Sequence, residues 1–189
     1  YPILNLDKNP MPYFFAEWVT TKVSTNALDS NSSSYKALES ITKRKDEFGI
    51  LSAMAHQVLA QRQQRRNFHE SAKKHFDAIG AIEDWKIIGP FENISASGYN
   101  TVFPPEREFD PLKIYEGKNK VPAQWFTPPS IRFDKWVDMQ SFFPQRQAFF
   151  YANTFVFSPV NQRVQLRIGT SGALKAFLNN TLVLKDSNE

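Results

Sequence analysis

The apolar residues of this chain change their spacing after Gly80, and that change constrains the fold more than any other feature of the sequence. Before it, Leu51, Met54, Ala55, Val58 and Leu59 fall at i, i+3, i+4, i+7 and i+8, the stripe of a helix with one face in a core. Gln57, Gln61, Arg62 and Gln64 take the other face of the same helix. After Gly80 the apolar residues come in short runs and alternations that suit strands, broken by Pro104-Pro105, Pro122, Pro128-Pro129 and Pro144. The expectation is an α+β chain, with an α-helical segment over 1–80 followed by an antiparallel β-sandwich over 81–189.

Within the helical part, the prolines at 2 and 10 make the first ten residues an extended lead-in. Phe14, Phe15, Trp18 and Val19 then form one helical face over 13–23. The polar run Ser30-Asn31-Ser32-Ser33-Ser34 suits a loop or an N-cap. From about Tyr35 to Ile79 the pattern is helical, and Asn67 with Glu70 three residues on reads as a capping box opening a second helix. That helix carries Phe68, Ala72, Phe76 and Ile79 on one side, so the two helices are expected to form an antiparallel hairpin.

In the second part, Trp85–Phe91 reads as a strand closed by a Gly89-Pro90 turn, and Phe149–Phe157 as a long aromatic strand. Val164, Leu166 and Ile168 alternate with Arg163, Gln165 and Arg167, as in a sheet with one wet face. Leu174–Leu178 and Thr181–Leu184 flank Asn179-Asn180, a two-residue connection in which both asparagines tolerate positive φ.

Several of these residues stand in a familiar order. Trp85-x-x-Ile88-Gly89-Pro90-Phe91-x-Asn93 is followed by Gly98-Tyr99, Phe103-Pro104-Pro105-Glu106, Tyr115, Gly117-Lys118, Trp125 and Tyr151-Ala152. Leu166–Gly169 and Lys175–Asn179 complete the series. This order resembles the galactose-binding-like jelly-roll domain of large secreted bacterial proteins, in which the sandwich follows tetratricopeptide-like helices and precedes a domain of unknown function and a transglutaminase-like domain. Two departures stand out: Asn180 takes the place of a usual Gly in the late hairpin, and the chain stops at Glu189, where similar domains continue for several strands. The resemblance therefore implies a sandwich incomplete at its C-terminus, with an open sheet edge through which the chain self-associates. The helical part is similar to the tetratricopeptide pattern in Leu59-Ala60 and in Ala72 and Phe76, without the Gly expected at 60 or a second copy of the repeat.

Composition removes several chemistries. The chain has no Cys, which excludes disulfides, thiolate zinc sites and cysteine nucleophiles. The basic residues Lys43, Arg44, Lys45, Arg62, Arg65 and Arg66 sit in the helical part, away from most aromatic residues, which argues against nucleic acid as a partner. No run approaches the ~20 apolar residues of a membrane span. Residues 1–24 lack the pattern of a signal peptide, and the secreted or periplasmic location that the resemblance implies supposes a signal already removed. His69 and His75 are six residues apart and share no helical face, and His56 stands elsewhere, so no metal-ligand spacing is visible.

What remains is a structural or interaction module of a larger exported protein, whose partners are the other domains of its polypeptide, and no enzyme. The alternative is a carbohydrate-binding module in which Trp136 and Trp125 stack on a sugar beside Asp138. Trp125, like Trp85, equally suits a core anchor, whereas Trp136 lies between Lys135 and Asp138 and reads as exposed. Glu106, Glu108, Asp110, Asp134 and Asp138 are the carboxylates of the loop-rich region, able as a pair to serve glycoside hydrolysis or together to gather calcium, and otherwise solvated.

Overall fold

The computed structural model describes residues 31–187 apart from 163, 165 and 167. The expected lead-in, the helix over 13–23 and the polar side of the 163–168 alternation lie outside the described residues. The chain divides into two units, one reaching to Ala81 and including Phe133–Lys135, the other formed by Ile82–Arg132 and Trp136–Glu189.

The described elements of the first unit are helices. Ser32 opens α1 (Ser33–Thr42), its Oγ accepting the Tyr35 backbone N–H at 3.2 Å and so satisfying one donor that a helix start leaves free. A single turn, α2 (Lys45–Phe48), and Gly49 lead into α3 (Ile50–Arg65). All five residues of the expected stripe are buried. Ala55, Val58 and Leu59 pack with Leu38 of α1, whereas Ala60 packs with Ala72 and Phe76 of α4 (His69–Ala78). Because α3 is covered from two sides, Arg62 is buried rather than on a wet face.

The start of α4 also corrects the sequence reading. Asn67 adopts φ +63°, its N–H donates to Gln64 O at 3.0 Å, and the Phe68 N–H donates to Gln63 O at 2.9 Å. These two bonds close α3 in a Schellman motif, so Asn67 is a helix stop and not an N-cap. Among the described residues no side chain caps α4. Ala60 meets Ala72 and His56 meets His75, so position falls on one helix as it rises on the other, and the pair is an antiparallel hairpin.

The second unit holds β1 (Lys86–Glu92), β2 (Ile114–Glu116), β3 (Pro122–Gln124), β4 (Ala148–Asn153), β5 (Leu174–Leu178) and β6 (Thr181–Asp186). They form three two-stranded antiparallel sheets, β1 with β4, β2 with β3 and β5 with β6. Ile87 and Phe126 exchange backbone hydrogen bonds of 2.9 and 3.0 Å on another edge of β1. The core packs Ile88, Phe91, Tyr115, Ala123 and Trp125 under the half-buried rings of Phe103, Phe109, Phe149 and Tyr151. Helices with small antiparallel sheets make the fold α+β.

Gly89-Pro90 does not close β1; it lies inside the strand, at the register irregularity between Ile88 and Phe91. A Cβ on Gly89 would stand 2.6 Å from Phe150 Cδ1, so the glycine admits the ring of the facing strand. The aromatic strand ends at Asn153, earlier than its composition suggests, and Phe155, Val156 and Phe157 are exposed. Val164, Leu166 and Ile168 belong to no strand and are 71%, 59% and 38% exposed. Alternation makes a strand only where a neighbour supplies the ladder, and none does so here among the described residues. The β5–β6 connection follows the sequence reading, with φ of 49° at Asn179 and 62° at Asn180.

Gly117 joins β2 to the turn before β3 and donates its N–H to Val121 O at 2.8 Å. A Cβ there would meet Pro90 O and Val121 O at 2.8 Å and Ala123 Cβ at 3.2 Å. Two of these neighbours are backbone oxygens that cannot swing aside, so Gly117→Ala is expected to cost about 1–3 kcal/mol, as overpacking does. Urea unfolding checks this, and a loss under about 0.5 kcal/mol would show that the loop relaxes freely.

Candidate functional site

The three residues proposed for sugar contact have different surroundings. Trp125 is 7% exposed, its ring meets Phe109 edge-on with centroids 5.0 Å apart, and its Nε1 has no hydrogen-bond partner among the described residues. An indole this enclosed presents no open face for a sugar, and Trp125 serves the core. Trp136 is 42% exposed, with Gly169 beside its ring. Asp138 caps α5 (Met139–Phe142), its carboxylate accepting the Gln140 N–H at 3.2 Å and the Ser141 hydroxyl at 2.9 Å. Trp85, the other expected anchor, is half-buried and donates Nε1–H to Ile82 O at 2.8 Å.

Two of the loop carboxylates are similarly occupied. Glu106 accepts the Tyr151 hydroxyl at 3.1 Å, and burial together with the Glu106 charge pushes that hydroxyl's pKa well above its ordinary value. Asp110 accepts the Leu112 N–H at 3.0 Å in a short turn. Glu108 lines an open cleft of about 370 Å³ with Val102, Pro104, Arg107, Lys113 and Tyr115. Among the described residues no three His, Asp or Glu converge on a metal position.

The largest departure from an ordinary surface is apolar. Phe155, Val156 and Phe157 are 70–88% exposed, and the β5–β6 hairpin exposes Phe177, Leu178, Leu182, Val183 and Leu184. On the same hairpin the directly opposed Lys175 and Lys185 both place their ammonium groups over the Tyr99 ring, 5.0 and 5.6 Å from its centre. That anchorage holds the hairpin without covering its apolar side chains.

The helical unit carries a second feature, in which His56 of α3 and His75 of α4 bring their Nδ1 atoms to 3.0 Å. At this distance one ring donates through Nδ1–H and the other accepts. Burial, and then the Lys45 charge, lowers the His56 pKa; burial and then His56 lower that of His75, against an opposing pull from Glu39. Spacing along one helix could not reveal the pair, because its members lie on two helices. They stand equally far on either side of the Arg65–Arg66 link, and that symmetry about the hairpin turn is the signal that would have found them. Set beside known proteins, the chain matches no family, no curated protein and no solved structure.

Proposed function

We propose that this chain is a non-catalytic interaction module of a larger exported protein, docking through its C-terminal hairpin onto β-strands of other domains of the same polypeptide. The observation that carries the reading is the β5–β6 hairpin, a two-stranded sheet whose residues 177–184 are all exposed, large apolar side chains among them. Two-stranded hairpins are marginal alone, and added strands satisfy their edges while specificity comes from alternate side chains. A galactose-binding-like jelly roll is the sandwich that such additions would complete, and the Trp85–Asn93 motif, which spans β1 and sets its Ile88 and Phe91 in the core, supports that reading. Ala60, Ala72 and Phe76 gathered in one cluster likewise support a tetratricopeptide-like hairpin for the helical part. The structural duties of Glu106, Asp110 and Asp138 speak for a module without catalysis.

Light scattering and a hydrophobic dye test this directly. The isolated chain is expected to associate or to bind the dye, and the pair Phe177→Lys with Leu182→Glu, opposed across the hairpin, to suppress both while leaving the helical content unchanged. A clean monomer that binds no dye would overturn the proposal. A glycan-dependent signal abolished by Trp136→Ala would instead establish the carbohydrate-binding alternative.

A further inference from the structure

We propose that His56 and His75 form a two-histidine site for a divalent cation of the zinc, copper and nickel group, which staples α3 to α4. Imidazole suits this group of metals, and it binds through an unprotonated ring nitrogen. Partial burial favours that neutral form at both rings, aided at His56 by Lys45 of α2 and opposed at His75 by Glu39. Glu39 of α1 adds at His75 a carboxylate whose sign favours a cation, against the like charge of Lys45 at His56.

The spacing fits as well. Two zinc–nitrogen bonds of about 2.0–2.1 Å meeting at a tetrahedral angle hold their nitrogens about 3.3 Å apart. The Nδ1 atoms already stand 3.0 Å apart, with ring centroids 5.2 Å apart and planes inclined by 51°. A few tenths of an ångström and an outward turn of the rings would convert the hydrogen-bonded pair into a chelate. Water fills the remaining positions, as in sites that keep part of the coordination sphere open. The two helices meet here through the small side chains of Ala60 and Ala72, so a link between His56 and His75 restrains the hairpin on the same side of its turn.

Metal binding to the folded chain raises its stability by mass action. Calorimetric titration of the whole chain with Zn²⁺ is expected to show a site that Mg²⁺ does not occupy. Thermal unfolding with free Zn²⁺ near 100 times the dissociation constant is expected to shift the melting temperature upward by about 5–10 °C. His56→Gln and His75→Gln should each weaken Zn²⁺ binding more than about tenfold, while His69→Gln, at an exposed position, leaves it unchanged. Should either Gln variant fold poorly, ring ¹⁵N resonances of the unaltered chain decide the matter, because Zn²⁺ must move those of both His56 and His75. No Zn²⁺ binding, undiminished affinity in either Gln variant, or unmoved ring resonances would overturn the proposal.

Discussion

Replacing Phe91 with alanine is expected to lower the stability of the chain by about 3–5 kcal/mol, read as a shift of the urea midpoint at constant slope. Phe91 is 1% exposed and belongs to the cluster of Ile88, Tyr115, Ala123 and Trp125. Its ring lies 5.1 Å from that of Phe103 and meets Tyr151 edge-on at 5.6 Å. Aromatic pairs of this geometry add about 0.5–1.5 kcal/mol to what area alone gives. The neighbours are held by separate elements, β2, β3 and β4, so they cannot all collapse into the space that the ring leaves, and the loss falls in the range for a cavity. Phe157→Ala, at a position 88% exposed, should by contrast stay within about 0.5 kcal/mol. A Phe91→Ala loss below about 1 kcal/mol would mean that the strand cluster is not a packed core.

Which of these features the sequence reveals depends on whether local chemistry or a distant neighbour decides them. The α3 stripe and the Asn179-Asn180 turn are local: each residue's own periodicity or backbone tolerance specifies it, and both are present as read. Asn67 shows the limit of local reasoning, since asparagine suits both an N-cap and the left-handed stop of a preceding helix, and only the amides of Asn67 and Phe68 reaching back to α3 decide between them. Strand extents depend on partners, so an aromatic run to Phe157 yields a strand only to Asn153, where pairing with Lys86 ends. The burial of Trp125 was one of two readings its composition allowed, and packing under Phe109 selects it. The His56–His75 pair is wholly a product of the hairpin register and leaves no mark in the spacing of either helix alone.

Phe76→Ala is expected to have an effect of the same size on the helical unit, about 3–5 kcal/mol with loss of far-ultraviolet circular dichroism as the readout. Phe76 is 2% exposed and sits among Ala60 and Ala72, both fully buried, with Ile79 beside it and Phe133 edge-on at 5.2 Å. The two alanines explain both the fit and the cost. Small side chains on facing helices leave room for one large ring, and once it is removed neither alanine can extend into the gap, so the hole persists unless the helices close together. Closure is opposed by the residues on the other side of α3, where Ala55, Val58 and Leu59 are packed against Leu38. Phe76→Leu keeps more of the volume and should lose less than about 1.5 kcal/mol, because it approaches a volume-conserving exchange. If Phe76→Ala and Phe76→Leu instead cost the same, the helices do close over the alanines, and the register that places Ala60 opposite Ala72 would not be what holds the hairpin.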